Sequence, residues 1–396
     1  MARIVLGVGG GIAAYKAVYL LRTLMAEGHF VTPILTESAT KFVGQTTFSA
    51  LASEPAKVSL FEDADPIPHT HLGRFADLIC IAPATADIIS KLANGVANDL
   101  LSATVMASRA QVVIAPAMHE EMWENFAVQK NVGVLLEAGY IIVPPSHGSL
   151  AAGDIGVGRM AEPDVVADFV RCTLASERVD LAGKKVVVSA GGTREAIDPV
   201  RFIGNRSSGK QGIAFAKVAA CWGAEVVLVT ANPSPEFPRV RQVVVTSAAE
   251  MSEAMHLERD RADLVVMAAA VSDFRVQTFS STKIKREGRS RMTLELEANS
   301  DILASLAASE LGCCLYVGFA AETDALEENL VKKLYSKGVD IIVGNDVTKP
   351  GAGFDTDTNS VTVLSKSGDR LTLEEVSKET VAVKVLALAY EMRERS

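Results

Sequence analysis

Twice along this chain an apolar run that reads as a buried strand passes into a glycine-rich turn and then into a helical pattern. The first unit is RIVLGVGGGIAAYK at 3–16. The second is KKVVVS, Lys184 to Ser189, followed by GGTREAIDPVRFIGNRSSGKQG from Gly191 to Gly212, with a helix opening near Ser207 and Ser208. Such a unit gathers free backbone N–H groups and the positive end of a helix dipole where an anion can sit. Two of them predict two nucleotide-type halves, an α/β chain of two doubly wound, Rossmann-like domains.

A fainter echo agrees. ADLICIAPATAD at 76–87 and ADLVVMAAAVSD at 262–273 each give Ala-Asp-Leu, an apolar strand, a small-residue turn and a closing Asp. Ligands of open parallel sheets bind beyond the carboxyl ends of the strands, where both turns fall. Small residues there also serve packing against a helix, so neither turn is diagnostic alone.

Gly204 to Lys210 matches the spacing of a Walker P-loop, but Gln211 stands where a Ser or Thr would ligate Mg²⁺. The glycines also follow a second loop instead of leaving the strand directly. What remains is an anion site at a helix N-terminus.

The alternation of strand-like and helix-like segments continues throughout. Strands are expected near 3–8, 31–35, 77–82, 111–115 and 140–143, with helices near 11–27, 85–107, 119–137 and 162–175. The polar stretch SERVDLAG, Ser176 to Gly183, places a boundary at about residue 180, giving domains 1–180 and 181–396. In the second half, strands are expected near 184–189, 225–230, 242–246, 263–268, 314–318 and 339–343. A β-hairpin over 359–374, turning at Lys366 to Asp369, and a second arm from Lys283 to Glu297 are expected to project from that sheet.

At 396 residues and 48% hydrophobic content, each half can bury a core of its own. A net charge of −9 without a long basic run argues against nucleic acid or an anionic membrane as the main partner. Cys80, Cys172, Cys221, Cys313 and Cys314 are scattered without metal or disulfide-framework spacing, which fits thiols in a reducing cytoplasm. Strand 1 begins almost at Met1, and no apolar run has the roughly 18 residues of a membrane helix.

Two of the six histidines, His69 and His71, share the segment DPIPHTHLGRFADL. No third ligand completes a metal site at a recognised spacing, so an acid/base histidine ranks above a metal pair, with an ordinary loop histidine close behind. APAMHEEMW, Ala115 to Trp123, follows the fourth strand; its plain reading is a helix entry whose Met and Trp side chains fill core, and its other reading is a ligand wall.

Taken in order, GGGIAAYK, the histidine before L-x-x-x-A-D-L, APATAD, ANDLLSAT, PAMHEEMW, GDIGVGRM, DPVRFIGNRSSGKQG, AAAVSDF, KIKR, GFAAET and GND span nearly the whole chain. The first half resembles the flavin-dependent cysteine decarboxylases. The whole chain resembles the bifunctional family of coenzyme A biosynthesis in which phosphopantothenoylcysteine decarboxylase is fused to phosphopantothenate–cysteine ligase.

The resemblance implies FMN at the carboxyl ends of the first sheet, its phosphate at Gly10, Gly11, Ile12 and Ala13, with contacts from Ser38, Thr85 and Ser102. Gly9 replaces the hydroxyl or small residue usual before the double glycine, which leaves more of the phosphate to backbone N–H groups. His69 aligns with the family's catalytic histidine, suited to taking a thiol proton while flavin oxidation of the cysteine side chain lets its carboxylate leave as CO₂. His119 replaces the asparagine of the family's PxMNxxMW motif; imidazole can hold a carboxylate but cannot copy an amide's donor and acceptor pair. Ala152 stands where many relatives carry the cysteine that protonates the ene-thiol. His119, or water, is then expected to supply that proton, or the reduction is slow.

For the second half the resemblance implies activation of phosphopantothenate by CTP to an acyl-cytidylate, then attack by the cysteine amine. Asn205 would hold the acyl carbonyl, and Lys283 would stabilise developing charge. Lys333 and Lys337, four apart on one helix face, would neutralise the triphosphate, and Asp273 would bind nucleotide and Mg²⁺. Phe319 and the helix start Ser300, Asp301, Ile302 and Leu303 would hold the nucleotide, with Ser300 in place of a frequent proline. Solvated surface lysines and a capping Asp are what these residues would be without the motif match.

A homo-oligomer of flavin-domain trimers joined by ligase dimers is also implied. Two other functions stay open: a ligase fused to a flavoprotein that stops at the ene-thiol, and a flavin-binding regulatory subunit. Retention of His69 and of the ligase motifs speaks against the latter.

Overall fold

The computed structural model describes residues 1–396 except 62–65, 150–152, 154, 176–178, 287–290, 309–313, 323–325, 347–355, 357 and 396. The chain divides into two compact units, Met1–Ser176 and Glu177–Ser396.

In the first unit, β1 (Arg3–Val8), β2 (Phe30–Leu35), β3 (Leu78–Ala84), β4 (Gln111–Pro116) and β5 (Ile141–Ile142) form one parallel sheet in the order β2-β1-β3-β4-β5. Its helices are α1 (Ala14–Ala26), α2 (Gln45–Leu51), α3 (Pro68–Phe75), α4 (Ala86–Ala93), α5 (Leu100–Met106), α6 (Glu120–Trp123), α7 (Phe126–Glu137) and α8 (Pro163–Leu174). A separate antiparallel hairpin pairs β6 (Ser146–Ser149) with β7 (Ile155–Arg159). The strands are continuous apolar runs because both faces are covered; every residue of β3 is buried.

Two helices expected whole are divided. The 85–107 stretch breaks after Asn94, where Gly95 takes φ +67°, and Asp99 opens α5 with a reciprocal capping box to Ser102. The 119–137 stretch breaks after Trp123, and Asn125 caps α7 through the Ala127 N–H at 2.9 Å.

The second unit contains β8 (Lys185–Ala190), β9 (Arg194–Ala196), β10 (Phe202–Gly204), β11 (Glu225–Thr230), β12 (Val240–Val244), β13 (Leu264–Met267), β14 (Phe274–Val276), β15 (Leu296–Ala298), β16 (Leu315–Glu322), β17 (Ile341–Asp346), β18 (Thr358–Ser365) and β19 (Arg370–Ser377). Its helices are α9 (Lys210–Cys221), α10 (Ala248–Glu258), α11 (Ile302–Ala307), α12 (Leu326–Ser336) and α13 (Lys378–Arg395). The main sheet runs β12-β11-β8-β13-β16-β17-β18-β19, parallel as far as β17 and antiparallel thereafter. Counted from β8, its parallel part has the 3-2-1-4-5-6 order of a dinucleotide-binding sheet.

Two expectations are corrected here. The hairpin turning at Lys366 to Asp369 does not project; β18 pairs with β17 and extends the main sheet, because Val361 and Val363 bury one face under α13. Of the Lys283 to Glu297 arm, only the end is strand: β15 pairs with β14 in a small sheet, and 287–290 lie outside the described residues.

The Ala-Asp-Leu echo has a structural cause. Asp77 Oδ2 accepts the Arg3 N–H at 2.7 Å while its own N–H donates to Arg3 O at 2.8 Å; Asp263 does the same to Lys185 at 2.9 and 2.8 Å. Asp340 repeats the clamp on Tyr316, at 2.8 and 3.0 Å. Each aspartate satisfies a backbone donor at the start of the neighbouring strand and so fixes the register of the pair.

Candidate functional site

At the carboxyl end of the first sheet the chain leaves β1 through Gly9, Gly10 and Gly11. Gly9 N donates to Pro83 O at 2.9 Å, which ties the turn to the end of β3. A Cβ on Gly10 would lie 2.3 Å from Ser38 Oγ and 2.7 Å from the Ser38 carbonyl carbon, so only glycine lets the loop after β2 close this far. A Cβ on Gly11 would stand 3.9 Å from Thr85 Cγ2. Gly10, Gly11, Ser38 and Thr85 thus come together between β1 and β3, the switch point of a sheet ordered 2-1-3-4-5 and the place where such sheets hold FMN.

Among the described residues the N–H groups of Gly10, Gly11, Ile12 and Ala13 donate to no protein acceptor, and α1 begins immediately after them. Four unspent donors at a helix start fit a phosphate. Ser102 differs from the others: it is 3% exposed, and its hydroxyl donates to Asp99 Oδ1 at 2.8 Å. Burial acts to raise the Asp99 pKa, but the Ser102 N–H and the Lys91 ammonium hold it below the usual carboxylate range. Gly10→Ala should therefore cost flavin loading at least about tenfold, since the overlap with Ser38 has to be relieved by moving a packed loop. Flavin absorbance of the purified variant measures this; ligase activity should persist.

His69 lies in the first turn of α3, after Pro68, and its Nδ1 is buried without a hydrogen-bond partner among the described residues. His71 instead lines a cavity of about 210 Å³ with Arg3, Phe30, Thr32 and Glu54, at the amino ends of β1 and β2. His119 precedes α6 as its N-cap without a side-chain capping bond, and the hairpin β6–β7 is fastened to this segment, Met118 N donating to Gly158 O at 2.9 Å. Ala152 lies outside the described residues.

In the second unit one cavity of about 860 Å³ opens at the carboxyl ends of β13, β16 and β17. Asn205, Asp273, Ser300, Asp301, Ile302, Leu303, Phe319, Lys333 and Lys337 all line it. Their positions follow from packing. Leu330 and Leu334, four apart on α12, are buried beneath β17, and this turns Lys333 and Lys337 toward the cavity. Phe319 is held edge-on to buried Phe215 of α9, with centroids 5.6 Å apart.

Asn205 Nδ2 donates to the carbonyls of Ala270 and Val271, at 3.3 and 3.1 Å. Asp301, not Ser300, caps α11, taking the Ala304 N–H at 3.0 Å, and its other oxygen pairs with Lys337. Burial opposes ionisation of Asp301, yet Lys337 and the Ala304 N–H hold its pKa below the usual range. Asp273 sits on the loop beyond β13, where its backbone carbonyl receives Asn299 N at 2.8 Å, and not at the strand end. Among the described residues no group of three His, Cys, Asp or Glu side chains is placed to hold a metal ion by itself. One exposed carboxylate suits Mg²⁺ that arrives with a triphosphate supplying the other oxygens.

Lys283 does not line the cavity. Its neighbour Ile284 donates N–H to Asp198 Oδ2 at 3.1 Å, which draws this segment to the buried carboxylate that also organises Val200 and Arg201.

Asn345, Asn359, Lys378 and Gln211 also line the cavity, and the sequence reading gave none of them a ligand role. Asn345, the penultimate residue of β17, is 9% exposed, with Oδ1 unpartnered among the described residues; a polar residue closing the apolar run IIVGN was a readable signal. Gln211 donates to Lys378 O at 3.0 Å and accepts from Asn359 at 3.4 Å. The position of a P-loop hydroxyl is thus spent on the carboxyl-terminal hairpin and helix.

Two family models match the chain: flavoprotein over residues 1–175, and the DNA/pantothenate metabolism flavoprotein C-terminal domain over 181–392. With the two sheets and their sites, they define a two-domain flavoprotein enzyme. The chain is 43% identical over 402 residues to the coenzyme A biosynthesis bifunctional protein CoaBC of Bacillus subtilis, covering 99% of this chain and 98% of that one. It is 42% identical over 398 residues to CoaBC of Mycobacterium tuberculosis strain H37Rv, covering 97% and 95%. A crystal structure of a CoaBC C-terminal domain matches at 38% identity and TM-score 0.46, over 54% of this chain and 98% of that one. The chain belongs to the family of bifunctional coenzyme A biosynthesis proteins CoaBC, enzymes that join a phosphopantothenoylcysteine decarboxylase flavoprotein domain to a ligase domain.

Proposed function

We propose that the second unit ligates cysteine to phosphopantothenate at the expense of CTP, and that the first, with FMN, decarboxylates the product to phosphopantetheine. The single observation that carries the ligase half is the convergence of Asn205, Asp273, Asp301, Phe319, Lys333 and Lys337, from separate segments, on one cavity.

In the first ligase step a carboxylate oxygen of phosphopantothenate attacks the α-phosphorus of CTP and pyrophosphate leaves. Lys333, Lys337 and the start of α9 neutralise the triphosphate, and Asp273 carries Mg²⁺. In the second step the cysteine amine attacks the acyl carbon and CMP leaves, with the Asn205 amide turning an N–H from the Ala270 or Val271 carbonyl to the acyl oxygen. Lys283 is assigned to charge stabilisation from a segment that has to approach the cavity. The nucleotide base lies against Phe319.

Bound FMN would supply the hydride acceptor and donor that the decarboxylation requires. The unspent N–H groups of Gly10 to Ala13 would hold its phosphate, with Ser38 and Thr85 beside them, and Ser102 is assigned a further contact to the cofactor. His69 takes the thiol proton, and His119 holds the substrate carboxylate. The protein works in the cytoplasm as a homo-oligomer; no helix among the described residues is long and apolar enough to cross a membrane.

The test is mass spectrometry of products from the purified flavin-bearing protein with phosphopantothenate, cysteine, CTP and Mg²⁺. Phosphopantetheine is the expected product, in lower yield when ATP replaces CTP. Accumulation of phosphopantothenoylcysteine would overturn the decarboxylase half. A decarboxylated product lacking two hydrogens would instead identify a protein that stops at the ene-thiol.

A further inference from the structure

The segment carrying His119 and the strand β7 are stitched together on both sides of that histidine. On one side Met118 N donates to Gly158 O at 2.9 Å. On the other, the Glu120 carboxylate accepts the Val157 N–H through Oε1 at 2.8 Å. His119 is thus bracketed by two hydrogen bonds to consecutive residues of one strand, while its own side chain makes no capping bond.

The fit between the two segments leaves no slack. A Cβ on Gly156 would lie 2.5 Å from Glu120 Oε2, and one on Gly158 would lie 2.3 Å from Met118 O. Gly158, which meets backbone, is needed for the strand to approach this closely, whereas at Gly156 a Cβ would press on the movable Glu120 carboxylate itself. The strand is anchored beyond its end as well: buried Lys16, on α1 directly after the Gly10 to Ala13 turn, donates Nζ to Met160 O at 3.0 Å and pairs with Glu162 at 3.0 Å. β7 therefore connects the helix of the flavin-phosphate turn to the segment that presents His119.

We propose that Glu120 is a positioning residue for decarboxylation: by accepting the Val157 N–H it fixes His119 against β7, and so against the flavin-binding turn that Lys16 ties to the same strand. Hydrogen-bond acceptance, not negative charge, is what the role requires, because the partner is a neutral amide. This rests on the reading of His119 as a substrate-binding residue. A reorientation of about 1 Å in such a group suffices for a hundredfold loss.

Glu120→Ala and Glu120→Gln are to be compared in the full-length holoprotein, with phosphopantothenoylcysteine supplied directly. Glu120→Ala is expected to lower decarboxylation kcat/KM about tenfold to a hundredfold, to speed amide exchange at Val157, and to leave flavin content and ligation rate unchanged. Glu120→Gln retains the acceptor and should restore both kcat/KM and Val157 protection. A double variant with His119→Ala should be no slower than His119→Ala alone, since the two residues act as one unit.

Unchanged kcat/KM in Glu120→Ala, equal losses in the Ala and Gln variants, or multiplicative losses in the double variant would each overturn the proposal. A silent His119→Ala would remove the substrate-binding reading itself; the exchange measurement at Val157 would still report whether Glu120 holds the strand.

Discussion

His69→Ala should slow decarboxylation about 10²–10⁴-fold, the range expected for loss of a positioned acid or base, while ligation by the same molecules continues unchanged. The motive is an energetic anomaly. His69 Nδ1 is buried without a partner among the described residues, and leaving such a polar atom unsatisfied costs about 1–3 kcal/mol. A histidine selected for packing would not carry that cost. Removing the ring relieves it while losing some apolar contact, so thermal unfolding should shift little even as the rate collapses. His71→Ala is the matched control: its ring lines a cavity at the amino ends of β1 and β2, whereas the glycine turn lies at the carboxyl end of the same sheet. That variant should decarboxylate normally. Single-turnover decarboxylation of phosphopantothenoylcysteine, with flavin absorbance and ligation measured on the same preparations, distinguishes the cases. A wild-type rate from His69→Ala would end the assignment.

The two sheets were legible because parallel strands buried on both faces are written as continuous apolar runs, and the turns after β1 and β8 because glycine is needed where backbone meets backbone. Helix breaks were missed although the letters carry them: Asn94 and Gly95 form a stop signal inside 85–107, and Asn125 is a capping residue inside 119–137. The capping box at Asp99 and Ser102 was readable in the letters of ANDLLSAT, but there the resemblance drew attention to Ser102 as a ligand contact instead.

Residues of the ligase cavity fall into two kinds. Asn205, Phe319, Lys333 and Lys337 lie on segments whose own sequence places them at a strand end, loop or helix face. Asn359 and Lys378 enter the wall only because β18 adds to β17 and brings the start of α13 beside α9, a tertiary event without a local signal. The hairpin itself was readable from its turn, but not the side of the sheet it would join. Lys283 shows the converse. Its motif marks it as functional, yet the long-range hydrogen bond of Ile284 to Asp198 sets its segment outside the cavity wall.

Asn205→Asp should reduce amide formation about 10²–10³-fold, comparable to removing one donor from an oxyanion site, while pyrophosphate release in the first step remains measurable. The side-chain amide of Asn205 bridges to the carbonyls of Ala270 and Val271, which fixes the loop before α9 against the turn after β13. An aspartate of the same size brings no donor to those two carbonyls and sets a negative oxygen beside them. The repulsion displaces the loop, and the acyl oxygen loses the neighbour that polarises its carbonyl during amine attack. In the proposed mechanism nucleotide activation is assigned to other groups, Lys333, Lys337 and Asp273, which line the wall from segments other than that of Asn205. The two half-reactions should therefore come apart in this variant, with acyl-cytidylate accumulating when cysteine is present. Quenched-flow separation of CTP consumption from phosphopantothenoylcysteine formation measures both rates on one sample. Equal loss of the two steps would mean that Asn205 acts only by shaping the loop; retention of both would mean that the acyl oxygen is held by another group.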